Sequence, residues 1–111
     1  MYRHEELKVP TRQERRERRA IKVQSYKVSI QGHIEGLEPK TDEEFGKYAA
    51  EVTVLKCKDL PQEADLIRSA VISIVNAHNR QATAWYFQHY NELMDRAEEK
   101  ETKKRNRNGN Y

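Results

Sequence analysis

The chain carries one cysteine, three prolines and four glycines in 111 residues. Each scarcity excludes something. Cys57 alone forms no internal disulfide and no cysteine-held metal cluster, which points to a reducing, cytoplasmic setting. So few glycines leave no Gly-rich phosphate loop, and neither a nucleophile elbow nor a paired-carboxylate motif is present. His4, His33, His78 and His89 lack metal-ligand spacing. Cys57 beside Leu55 reads as an inert thiol rather than a nucleophile. The expectation is therefore a protein that is not an enzyme, with no cofactor and no metal. Residues 1–19 contain no apolar run of the secretory type. No stretch approaches the ~20 apolar residues of a membrane span, so no membrane partner is expected.

Hydrophobic residues are also few, at 36%, against 35% charged. A chain of this size buries a modest share of its surface, and so thin a core favours self-association, with a homo-oligomer expected and a dimer preferred. Net charge is only +3, but it is unevenly placed. Residues 1–27 carry nine Lys/Arg against four acids, and residues 99–111 carry five against two. The stretch between is acidic, so a basic arm (1–21) and a basic tail (99–111) flank a folded body (22–98).

The arm is the densest feature. Thr11 followed by Glu14 makes a capping box, and Glu14 with Arg18 supports a helix. Nothing between Thr11 and Arg19 is apolar, so a solvated helical arm is one reading. The other is contact with phosphates through Arg12, Arg15, Arg16, Arg18, Arg19 and Lys22, because guanidinium groups offer planar forked donors. Arginine-rich segments that order on RNA are a known binding mode. The run Arg15-Arg16-Glu17-Arg18-Arg19-Ala20, with Thr11-Arg12 before it and Lys22 after, resembles the arginine-rich motif of the lambdoid-phage N antitermination proteins. That resemblance covers residues 11–22 only. It implies a bent helix along an RNA hairpin, with an aromatic stacking on the loop. Tyr26 falls where that aromatic would be. It also implies a phage or mobile-element source.

Residues 22–34 alternate, with Tyr26, Val28, Ile30 and Ile34 on one side, which predicts a half-buried strand. A second strand is expected over 48–58, from Ala50, Val52 and Val54 and the β-branched Val52-Thr53-Val54. Thr41 and Glu44 form a competing capping box, with Phe45, Tyr48, Ala49 and Val52 at helical spacing.

A long helix over about 60–98 follows, opened by Asp59 as N-cap with Gln62 at N3. Ile67, Ala70, Val71, Ile74 and His78 share one face. Tyr86, Tyr90, Leu93 and Ala97 share another, rotated by about 120°. Either the segment turns back near residues 76–79, or one continuous or kinked helix uses its halves on different partners. The second is preferred, because AHNRQAT holds neither glycine nor proline. Trp85, Tyr86, Tyr90 and Leu93 then form the expected oligomer interface, and a base-stacking platform is the sharper alternative. Lys103, Lys104 and Arg105 in the tail add phosphate contacts.

The expected class is α+β: arm, β-hairpin, long helix. The expected function is nucleic-acid binding, RNA favoured over DNA, in a small regulatory or accessory protein. The alternative is a homo-oligomeric module that binds a protein partner or sequesters a small ligand.

Overall fold

The computed structural model describes residue 9 and residues 11–109, with side chains through Glu98. Four α-helices account for nearly all of it: α1 (Arg12–Gly36), α2 (Asp42–Asp59), α3 (Ala64–His78) and α4 (Arg80–Gly109). A single 3₁₀ turn, Pro61–Glu63, joins α2 to α3. The described residues contain no strand. The expected α+β class, with strands at 22–34 and 48–58, is therefore corrected to all-helical. No helix among the described residues is long and apolar enough to cross a membrane.

The first correction lies in α1. Tyr26, Ile30 and Ile34 are spaced by four, so they fit a period of two and a period of 3.6 equally. Val28 separates the cases. A strand would place it with Ile30, but it is 67% exposed, whereas Ile30 and Ile34 are wholly buried. The arm and the expected first strand are thus one 25-residue helix, begun by Thr11, whose Oγ1 accepts from the Glu14 N–H at 3.1 Å.

In α2 the capping box prevails over β-propensity. Thr41 Oγ1 accepts from the Glu44 N–H at 3.1 Å, and Glu44 Oε1 accepts from the Lys40 N–H at 3.0 Å. Phe45, Ala49, Ala50 and Val52 are buried at helical spacing. Thr53, fully buried, donates its hydroxyl to the Ala49 carbonyl at 2.7 Å, which satisfies its one polar group within the helix. Asp59 ends α2 and caps nothing that follows.

The long helix is two helices. Asn79 is fully extended (φ −176°, ψ 176°). Its side-chain oxygen accepts from the Ala82 N–H at 2.8 Å, the bond of an N-cap, and its amide donates to Asp42 at 2.9 Å. The ring of His78 stacks on Phe45 with centroids 3.9 Å apart. The rotated apolar faces are therefore the core faces of separate helices, and the second is not left without a partner.

α2 packs most extensively on α4, and α1 on α3. One cluster joins them: Ile30 and Ile34, the α2 residues above, Ile67, Val71, Ile74 and Val75, and Ala82 with Tyr86. The overall thickness of 21 Å is that of about two helix diameters. Residues 11–22 lie outside this core and are exposed throughout.

Gly46 sets the spacing of α2 and α4. A Cβ there would stand 2.5 Å from the Ala82 carbonyl oxygen, 2.7 Å from Trp85 Cβ and 2.8 Å from the Tyr86 nitrogen. Two of those atoms are backbone and cannot rotate away. In an uncrowded helix Gly→Ala gains about 1 kcal/mol. Gly46→Ala is instead expected to cost about 1–3 kcal/mol by overpacking. Urea denaturation measures it, and a stabilised variant would remove the proposed contact.

Tyr86 is 1% exposed. Burial pushes its phenol from the ordinary 10.0 up to about 12. As pH rises the unfolded phenol ionises first. The stability tied to Tyr86 is therefore complete below about pH 10 and lost as pH climbs through about 12, roughly 2–3 kcal/mol in all. Urea midpoints across that window should fall, and Tyr86→Phe should make the decline shallower, the remainder belonging to Tyr26, Tyr48 and Lys47, whose values are also raised.

Candidate nucleic-acid interface

A helix returns to nearly the same face every three or four residues. Counting back from Ile34 through Ile30 and Tyr26 leads to Val23, then to Arg19, Arg16 and Arg12. The stripe that packs against α3 in the C-terminal half of α1 thus continues, in register, as an arginine stripe in its N-terminal half. Arg15 and Arg18 lie on its flank. Arg12, Arg15, Arg16, Arg18 and Arg19 are all exposed. Among the described residues, no carboxylate lies within ion-pair distance of Arg12, Arg16, Arg18 or Arg19.

These charges do not help the helix that carries them. The N-terminus of a helix is the positive end of its dipole, where a cation costs about 0.3–1 kcal/mol. Arg12 is the first helical residue. Glu14, in the same turn, offsets part of this.

Lys22, grouped with the arginines by its position in the sequence, lies off the Arg12, Arg16 and Arg19 stripe, on the flank that carries Arg15 and Arg18. Its Nζ is 3.6 Å from Glu63. Tyr26 also faces Glu63, and burial, then that carboxylate, raises its phenol above the ordinary value. Tyr26 packs against the core, so it is held by the protein. Lys103, Lys104 and Arg105 belong to the last turns of α4, which runs unbroken to Gly109; their side chains lie outside the described residues.

Where α1 leaves α3 there is an open groove of about 380 Å³. Among the described residues its polar lining is Arg16, Arg19, Lys27, Gln24 and Ser73, with no carboxylate, and Ala20 and Val23 complete it. Lys27 enters the charge count of residues 1–27 but not the expected contacts, and Ser73 enters neither. The signal for Lys27 was available, since it lies four residues beyond Val23 on the same helical stripe. Ser73 comes from another helix and has no local signal. A larger cleft of about 560 Å³ lies at the other end of α1, lined by Glu35, Glu38 and Asp42 together with Lys40 and His78. Its carboxylates disfavour a phosphate.

Of the residues expected to form an oligomer interface, Tyr86 lies in the chain's own core. Tyr90 stacks on it, centroids 5.8 Å apart, and packs against the core cluster. Leu93 packs against the same cluster. Trp85 is half-buried beneath Lys47, whose Nζ lies 5.4 Å from the ring centroid. The outward apolar side chains of α4 are Phe87 and Met94 instead.

Cys57 is half-buried in α2, its sulfur 3.9 Å from the Ala64 carbonyl oxygen, and burial raises its thiol above the ordinary value. Such a thiol is a poor nucleophile at neutral pH. No group of three or more metal-ligating side chains occurs among the described residues. Comparison with protein-family models, with curated proteins and with solved structures finds no match, so the geometry alone bears on function.

Proposed function

We propose that the chain binds nucleic acid, RNA in preference to DNA, through the N-terminal half of α1. The observation that carries this reading is the stripe Arg12, Arg16 and Arg19: exposed, unpaired among the described residues, and partly at the helix end where cations are least favoured. A polyanion reverses that cost. The likeness of residues 11–22 to the N-protein arginine-rich motif supports RNA as the target. With Tyr26 held against the core, base stacking by that residue is not part of the proposal.

Binding of this kind is salt-dependent, since each neutralised phosphate releases counterions. Four arginine contacts give a slope of about −3 to −4 in log K against log salt, and thus roughly a fifty- to hundred-and-fiftyfold loss of affinity between about 50 and 200 mM salt. Filter binding against an RNA hairpin and a DNA duplex measures both. The variant with Arg12, Arg16, Arg18 and Arg19 all changed to Ala is expected to lose that slope and most of the affinity. Equal, weak binding by both proteins would reject the reading.

One observation favours a second reading, a self-associating module. Ile21 and Val28, on the side of α1 away from the core, are 69% and 67% exposed. A second copy of the chain could cover them. Light scattering at high protein concentration tests this: a concentration-dependent dimer weakened by Ile21→Ser with Val28→Ser supports it, and a strict monomer rejects it.

A further inference from the structure

We infer that the groove between α1 and α3 is a phosphate track, with Lys27 and Ser73 as contacts that bring the folded body, and not the arm alone, onto the nucleic-acid backbone. The inference rests on the nucleic-acid reading above and extends it to residues that the arginine-rich sequence does not include.

The groove has the polarity a phosphate chain requires. Arg16, Arg19 and Lys27 supply three cations to it, Gln24 and Ser73 supply neutral donors, and among the described residues no carboxylate lines it. Lys27 is only partly exposed, so its charge is less screened than those of the arm and is held on one side of α1. Arg16 and Lys27 are eleven residues apart, about 16 Å along the helix axis. That length suits a run of successive phosphates rather than a single ion. At about 3.4 Å per nucleotide it spans four or five nucleotides of one stacked strand. The apolar lining of Ala20 and Val23 lets a ribose lie close to the helix without stranding a polar group.

Direction follows as well. Beyond Lys27 the same helix carries Glu35, and the cleft at that end adds Glu38 and Asp42. The track therefore ends near Lys27. On the other flank of α1, Lys22 is paired with Glu63 and does not extend the track.

The test uses the full-length protein, a labelled oligouridylate single strand and a labelled RNA hairpin, titrated at several salt concentrations. Lys27→Ala is expected to lower affinity about three- to tenfold and to make the salt slope shallower by about one phosphate contact. Ser73→Asp, which adds a negative charge at the groove wall, is expected to weaken binding at least as much. Lys40→Ala, which removes one positive charge at the acidic cleft, is expected to leave both quantities unchanged. Circular dichroism melts accompany each variant, and a change in binding with an unchanged melt supports the track. If the four-arginine variant abolishes binding while Lys27→Ala and Ser73→Asp bind as the wild type does, the track is overturned and the arm reading stands. If Lys40→Ala weakens binding as much as Lys27→Ala, the effect is net charge and the track is overturned. If the wild type binds neither probe, the nucleic-acid reading itself fails and takes the track with it.

Discussion

The packing depends on how closely α2 and α4 approach at Gly46. The absent Cβ lets the backbone of α4 come within what would otherwise be overlap at Ala82 and Tyr86. Ala49, Ala50 and Thr53, all small and wholly buried, continue the shallow surface. This approach brings the start of α4 to the start of α2, where Asp42 can accept from the Asn79 amide and Phe45 can stack on His78. That corner fixes where α3 ends and α4 begins. α3 then presents Ile67, Val71, Ile74 and Val75 to the cluster that also takes in Ile30 and Ile34 of α1. The position of the arginine stripe thus follows, three contacts removed, from a glycine on a different helix.

α1 joins two halves with different reasons for being helical. Its C-terminal half buries Ile30 and Ile34 completely, roughly 1.5–3 kcal/mol each by area. Its N-terminal half buries nothing, and an isolated helix of that length is marginal in water. The arm is helical because it propagates from an anchored segment, where nucleation has already been met, and because Thr11 caps it. An arm ordered in this way gives up less entropy on meeting a ligand than a disordered arginine-rich peptide would. It also presents its guanidinium groups at fixed spacing, so any affinity for a polyanion would owe part of its strength to preorganisation.

What the sequence disclosed and what it concealed divide along physical lines. Both threonine caps were legible, at Thr11 and at Thr41, because a cap is a local bond between near neighbours, and at Thr41 the reciprocal Glu44 bond completes the box. The second was outweighed in reading by Val52-Thr53-Val54, but β-propensity reports packing on a pleated surface and yields when tertiary contacts bury the same residues on a helix. The phase break between Ile74 and Tyr86 was legible as well. Its cause was not recognised, because a search for glycine or proline passes over an asparagine that ends one helix and caps the next. Residues 22–34 were ambiguous in principle, since spacings of four satisfy either period, and only the exposure of Val28 decides between them. The role of Gly46 had no local sign at all. Its neighbour is more than thirty positions away.

The same distinction governs the candidate interface. Lys22 and Lys27 are equivalent in a count of charges, yet about 100° per residue places them on different flanks of one helix. Lys22 then meets Glu63, whereas Lys27 opens into a groove that no carboxylate lines among the described residues. From Lys27 to Glu35 is about 12 Å along the axis, somewhat more than the Debye length of ~8 Å at physiological ionic strength. The acidic end of α1 is therefore largely screened from a strand bound at the basic end, and becomes repulsive only as salt is lowered. Attraction by the arginines strengthens under the same change, so the two ends oppose each other most at low salt. A helix charged this way does more than attract a polyanion. If a strand binds as proposed, its preference for the basic end over the acidic end should sharpen as salt is lowered.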